Sequence, residues 1–326
     1  WMAKNVDKRI DPRQVLPNAQ SVVAAAMNYY TEEQHSSESD VGKISRYGWG
    51  EDYHIVMTPR LEKLLDFIKS EVPSVSGKVY VDTGPVMDKV WAARAGVGWE
   101  GKHTNVISRE FGSWIFLGEI ILDIGLEYDE PSADYCGTCT RCIDACPTQA
   151  IVEPYVLDSN LCISYLTIEH KGDIPDTLGS RFENWIYGCD VCQDVCPRNQ
   201  KWLQKELPLN QLLLDRAKDF EITTILTMSD QDYQEKIWPL LYYIRQENKK
   251  IWQRNAAVAI GNRGASEDVP VLAEAMNDEE ALVKRHVAWA LGKIGGKKTR
   301  RILENSRKVE PHQEVRQEIE DALSKI

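Results

Sequence analysis

The 326-residue chain has no long apolar run. Its most apolar stretch, Trp114 to Leu126, is broken by Glu119 and Asp123 and is too short to cross a bilayer. Residues Trp1 to Gln20 are polar and charged, without the apolar centre of a secretory signal. A cytoplasmic protein with no membrane segment is therefore expected. Basic charge is not in excess either: a net charge of −11 argues against indiscriminate nucleic-acid binding. Gly96, Gly98 and Gly101 permit close backbone approach to a large ligand, but no strand–helix unit surrounds them, so a dinucleotide fingerprint is not read there. One absence is local. From Ala281 to Leu303 there is no Asp or Glu beside seven Lys and Arg residues, which fits either a solvated helical face or a basic contact surface. With 43% apolar and 27% charged residues the chain is ordinary for a globular protein of two or three domains.

Cysteine is confined to one stretch. The first run is Cys136-x2-Cys139-x2-Cys142-x3-Cys146-Pro147, and the second is Cys189-x2-Cys192-x3-Cys196-Pro197. In two-cluster ferredoxins three cysteines of a run hold one cluster, and the fourth, before proline, reaches the other. Cluster one then takes Cys136, Cys139, Cys142 and Cys196. Cluster two takes Cys189, Cys192 and Cys146 and lacks a ligand, because the expected position is Ile186. Cys162 is the one cysteine unassigned and completes the set. A disulfide framework would need an oxidising compartment. Zinc suits isolated Cys-x2-Cys pairs better than three cysteines in tandem. Two adjacent 4Fe–4S clusters are a path for single electrons, so reduction chemistry or electron transfer is expected.

The organisation is α+β and multidomain. Residues 1–130 alternate strand-like runs (Ser21–Met27, Val79–Val81, Gly112–Asp123) with a helical pattern over Leu61–Val72, as an α/β or α+β domain does. Residues 131–205 form the ferredoxin-like part, and 206–250 read as connecting helices. In 251–326, Arg254-Asn-Ala-Ala-Val-Ala-Ile-Gly-Asn-Arg-Gly264 repeats as Arg285-His-Val-Ala-Trp-Ala-Leu-Gly-Lys-Ile-Gly295, with a weaker third copy ending at Ile326. Small residues at the seam and terminal glycines predict a HEAT-like helical array. In the first domain Asp82 follows Val79-Tyr-Val81 and precedes Thr-Gly-Pro, at a strand end opening into a loop. That is a place for a catalytic group, and equally for a turn or helix cap.

Val81-Asp-Thr-Gly-Pro, Arg94-Ala-Gly-Val-Gly-Trp-x-Gly-Lys-His-Thr, Gly112-Ser-Trp-x-Phe-Leu-Gly-Glu, Cys162-Ile-Ser-Tyr-Leu-Thr-Ile-Glu and Tyr187-Gly-Cys-Asp-x-Cys-Gln, together with the cysteine pattern, resemble the epoxyqueuosine reductase family over nearly the whole chain. The resemblance implies an α/β cobalamin-binding, reductive-dehalogenase-like domain, a two-cluster ferredoxin-like domain and C-terminal HEAT-like repeats. The family's further N-terminal segment, before Asn5–Arg9, is missing here. Trp1 also precedes Met2, so trimming or a partial chain is expected. The implied activity is reductive removal of the epoxide oxygen of epoxyqueuosine at the tRNA wobble position. Cobalamin would be reduced through two 4Fe–4S clusters, themselves charged by an unidentified low-potential electron donor. The alternatives are a corrinoid reductive dehalogenase and a non-catalytic two-cluster electron carrier. The protein is expected to be a monomer.

The family match makes Asp82 the proton donor. It puts Arg9, Ser45, Met87, Lys102, His103 and Ser164 near the corrinoid and leaves Asp190 to orient a cluster loop. No histidine ligand to cobalt is expected, because Asp52-Tyr-His-Ile-Val-Met57 departs at Met57 from the Asp-x-His-x-x-Gly signature. His170, Lys171, Arg254, Asn255, Arg263, Lys284 and Arg285 are the expected RNA contacts.

Overall fold

A computed structural model describes residues 4–200, 220–238 and 248–326. Strand β1 (Ser21–Asn28), β2 (Lys43–Ile44), β3 (Gly77–Tyr80), β4 (Trp99–Glu100), β5 (Val106–Ile107) and β6 (Ile115–Leu122) lie in the first 130 residues, and β7 (Ile151–Glu153), β8 (Val156–Leu157) and β9 (Trp185–Tyr187) follow. The main sheet has the order β1-β6-β3, with both pairings antiparallel, so the alternation in the sequence resolves as α+β. β6 is central because its β-branched run is buried from Ile120 to Leu122.

Helix α1 covers Val6–Ile10 and α2 covers Tyr53–Glu71. α2 begins eight residues before the expected Leu61, because the Asp52 side chain accepts the His54 amide at 2.8 Å and caps it there. Met57, Leu61 and Leu65, four apart, bury one stripe of α2 against Val81, Ile120 and Leu122. The opposite face of the sheet receives α3 (Asp88–Arg94), which packs on β1 and β6.

The cysteine segment contains α4 (Arg141–Ala145) and α5 (Ile163–Ile168) and is not an isolated unit. β2 pairs in parallel with β9, and one apolar core joins Ile44, residues 163–187, Phe220–Ile237 and the C-terminal helices through Ala322. Ile186, at the position where a ligand is missing, is fully buried in that core.

The repeats form the helices Lys249–Arg263, Ala281–Ile294 and Gln313–Lys325, with Val269–Ala275 and Lys297–Val309 between them. The small residues of the repeat seam are sterically required. A Cβ on Gly261 would lie 2.5 Å from the Trp289 ring, and one on Gly292 would lie 2.7 Å from Ala322 Cβ. Of the segment 206–250 the described part holds Ile222–Thr227, Asp230–Asp232 and a π-helical turn at Tyr233–Ile237; 206–219 and 239–247 lie outside the described residues. Among the described residues no helix is long and apolar enough to cross a membrane.

Candidate functional site: a cavity between paired thiols and a buried aspartate

All eight thiols are free. They act on one another in two groups of four. Burial, then Cys196 and Cys136, pushes the Cys142 thiol up to about 11, and Cys136 and Cys139 act on Cys196. Cys162 and Cys146 act on Cys189, and Cys189 and Cys162 on Cys192. The two groups adjoin where Cys142 acts on Cys192. Left as bare thiolates these buried sulfurs would be unstable; bound cations reverse that. Among the described residues no group of three His, Cys, Asp or Glu side chains converges as a single metal ion requires. The Ala150 amide donates to Cys146 Sγ at 3.2 Å.

The loops around the thiols are pinned by polar contacts. Lys102 Nζ donates to the carbonyls of Gly137 (2.7 Å) and Cys139 (3.0 Å), within the first cysteine run. Asp190 is fully buried and accepts from Ser45 Oγ, from the Arg46 amide at 2.8 Å and from Arg46 Nη1 at 3.3 Å. It thereby ties the β2 strand to the second run, which fits the loop-orienting role expected for it.

A cavity of about 390 Å³ has Cys146, Cys162, Cys189 and Cys192 in its wall, together with Ser45, Lys89, His103, Ile115, Leu117 and Ser164. A second cavity of about 230 Å³ shares Tyr47 and Ser164 with it and is lined by Asp52, Tyr53, Asp82 and Glu169. Asp82 stands at the end of β3 with φ 50°, a left-handed conformation uncommon for an aspartate. Burial, then the neighbouring Asp88 carboxylate, raises its pKa above the usual carboxylate range. Tyr53 Oη donates to Asp82 Oδ2 at 3.0 Å. Tyr53 carried no signal beyond its place next to Asp52, in a stretch set aside because Met57 broke a signature. His54 Nδ1 lies 2.7 Å from Asp52 Oδ1 on the same turn.

His103 is buried, and its Nδ1 accepts the Asn105 amide at 3.2 Å. Burial, then Lys89, lowers its pKa to about 4. The ring is therefore neutral at pH 7, and its proton sits on Nε2, which has no protein partner. A nitrogen that carries a proton is a donor to a ligand and cannot bind a metal. Ser45, His103 and Ser164 thus line the large cavity and Asp82 the smaller one. Arg9, Met87 and Lys102 line neither. Arg9 Nη1 donates to Val86 O at 3.2 Å, Met87 precedes α3, and Lys102 serves the first cysteine run.

The expected RNA contacts divide sharply. Arg254 is fully buried and donates to the carbonyls of Leu166, His170 and Gly172 at 2.6–2.7 Å. Asn255 is buried and donates to Thr167 O and Ile186 O, both at 2.8 Å. Lys284 is buried against Glu310 at 2.8 Å. For these three the expectation is corrected, because they are buried and their committed hydrogen bonds hold the array to the cysteine segment or to itself. Arg263 pairs with Asp268 and Glu267, and Arg285 with Asp173 and Glu318, so their charge is largely spent. His170 and Lys171 follow Glu169 of the smaller cavity, and Lys171 is exposed.

Two groups of four thiols, one of them in a cavity wall, a half-buried acid in a neighbouring cavity and a helical array sharing the core define a two-cluster iron–sulfur oxidoreductase. The family models agree: residues 9–83 match "Epoxyqueuosine reductase QueG, DUF1730", residues 135–199 a 4Fe-4S double cluster binding domain and residues 237–324 HEAT repeats. An epoxyqueuosine reductase of Synechocystis sp. is 48% identical over 237 residues, spanning 72% of this chain and 81% of the relative. A crystal structure of an epoxyqueuosine reductase with an epoxyqueuosine-modified tRNA-Tyr stem loop superposes with a TM-score of 0.89 at 35% identity, over 99% of this chain and 86% of that one. An epoxyqueuosine reductase from Bacillus subtilis, with an aspartate-bearing catalytic loop swung out of its active site, gives 0.88 at 33% identity over the same shares. The chain belongs to the epoxyqueuosine reductase family.

Proposed function

We propose that this protein removes the epoxide oxygen of epoxyqueuosine in tRNA, using cobalamin held in the two joined cavities and electrons delivered through two 4Fe–4S clusters. The single observation that carries the reading is the placement of Asp82, a half-buried acid in the wall of a cavity that shares Tyr47 and Ser164 with one that the four second-cluster thiols line. The residues fit a corrinoid. Hydroxyls of Ser45 and Ser164 and the donor Nε2 of His103 suit its amide side chains, while Ile115 and Leu117 offer apolar surface. When bound and reduced, cobalamin would supply the two electrons that the epoxide carbon must receive.

The protein supplies the rest. Loss of the epoxide oxygen as water leaves an alkene and consumes two protons. Asp82, its proton affinity raised by burial, holds a proton where the oxygen develops charge, and general acids placed in this way contribute about 10²- to 10⁴-fold. Tyr53 fixes which carboxyl oxygen is free to donate. His103, through its Nε2 donor, would help to orient the cofactor. The wobble nucleotide must leave its loop to reach the cavity. His170 and Lys171 beside the smaller cavity, and the exposed Lys297, Lys298 and Arg301, are the RNA contacts in this reading. A low-potential electron donor, a cytoplasmic location and a monomeric state belong to the same reading.

The test is anaerobic protein supplied with cobalamin and given an epoxyqueuosine-bearing stem loop. About eight irons and one cobalt per chain, with the nucleoside losing one oxygen by mass spectrometry, are expected. Full cofactor loading with unchanged nucleoside would overturn the proposal.

A further inference from the structure

Behind Asp82 lie two carboxyls that neither the fold nor the chemistry so far has used. Glu119 sits mid-strand in β6, with no exposed surface, between Ala24 of β1 and Tyr80 of β3. Strand alternation puts it on the same face as Ile115 and Leu117, which line the large cavity. Asp88 heads α3 on that face, six residues after Asp82. Neither oxygen of Glu119 meets a protein donor, and neither does Asp88 Oδ1, yet the Asp88 and Glu119 carboxyls are within hydrogen-bonding reach of each other.

Two ionised carboxylates are acceptors only and cannot bond to each other. A proton held between them supplies the missing donor and removes one of two buried charges. Burial, then Asp88, pushes the Glu119 carboxyl up to about 10, and Asp82 acts on it as well. The neighbouring strands face it with Ala24 and Tyr80; from α3 and its preceding loop the titratable groups are Asp88, Lys89 and Asp82. A stabilising role does not account for Glu119. A buried acid that bonds no backbone group and no cation burdens the fold.

The reaction proposed above needs two protons, and Asp82 carries one. We propose that Asp88 and Glu119 share a proton that reloads Asp82 during turnover, so that the closed site holds both protons before the substrate shuts out water. This role rests on the deoxygenation reading. Asp82 protonates the epoxide oxygen as the first C–O bond breaks, and the shared proton then moves to the Asp82 carboxylate. Asp82 passes it to the same oxygen as the second C–O bond breaks and water leaves. Both electrons come from the reduced cofactor. The Asp88–Glu119 pair, left doubly ionised, recovers its proton from solvent once the RNA departs. Both residues act through Asp82 and touch no substrate.

Infrared spectra of the cofactor-loaded protein without RNA should show, beside any Asp82 signal, a protonated-carboxyl band between pH 7 and 8 that persists in Asp82→Asn and that Glu119→Gln removes; its absence in the unaltered protein would overturn the shared proton. With the stem loop, Glu119→Gln should keep iron and cobalamin content but slow deoxygenation roughly 10- to 100-fold. Its rate should also fall with rising pH where that of the unaltered protein is flat. Stability separates this from a packing role. Glu119 binds a proton more tightly folded than unfolded, so its contribution is lost as pH rises from its unfolded value toward about 10. Glu119→Gln should therefore melt no lower than the unaltered protein at pH 8, whereas a packing role predicts a lower midpoint. If the unaltered protein turns over and Glu119→Gln matches its rate and pH profile, the reloading role alone fails. If the unaltered protein shows the band but leaves epoxyqueuosine untouched, the deoxygenation reading falls and takes the reloading role with it.

Discussion

Arg254 and Glu119 are both fully buried charged residues, and they have opposite surroundings. Arg254 has each guanidinium nitrogen hydrogen-bonded, to three carbonyls and to Asn255 Oδ1. Neither Glu119 oxygen meets a protein donor, and His103 Nε2 meets no protein acceptor. Where the array docks on the cysteine segment, the buried charge of Arg254 is satisfied and holds elements together. Beside the cavities the Glu119 carboxyl is left open, and an unsatisfied buried charge of that kind calls for a role outside the fold.

The contrast can be broken or sharpened by substitution. The largest effect is expected at Cys162. Cys162→Ala should abolish turnover and lower iron from about eight to about four per chain, read by metal analysis, if it is a ligand of the second cluster; unchanged iron would remove it from the set. Next, Asp82→Asn should retain iron, cobalamin and RNA binding yet lose about 10²- to 10⁴-fold in single-turnover rate. Retention of full rate would make Asp82 a turn residue after all.

On the satisfied side, Arg254→Ala strands three buried carbonyls and should cost about 3 kcal/mol in denaturant unfolding. The salt dependence of RNA binding should stay as it was; a shallower slope would return Arg254 to the RNA surface. His103→Ala removes one donor to the cofactor and should weaken cobalamin binding about tenfold, measured on iron-loaded protein by optical titration. The smallest effect is expected at Lys171. Lys171→Ala should lower the slope of log K against log salt by roughly 0.7, the value for one phosphate contact on a single strand.

The two-cluster cysteine segment and the array were legible in the sequence because each depends on spacing. A cubane fixes how many residues separate its thiolates, and a repeated helix pair fixes where glycine and alanine must recur, as Gly261 and Gly292 show. The RNA contacts at Arg254, Asn255 and Lys284 were misread for a related reason. Helical periodicity says which residues share a face but not what covers that face, and the helix carrying Arg254 docks on the cysteine segment. Asp82 was legible as a strand-end acid. Its partner Tyr53 and the Asp88–Glu119 pair were not, since they meet through pairing of β3 and β6 and the seating of α3, contacts that local sequence does not encode.

The continuous core from Ile44 through the cysteine segment to Ala322 has a practical consequence. The C-terminal array is not a detachable handle but the other half of the redox module's interior. Truncating it would remove Trp252 and uncover the Tyr187 ring on which it stacks, two residues before Cys189, so the shortened chain would lose iron as well as grip. Chimeras that exchange arrays between relatives would have to transplant this docking face with them.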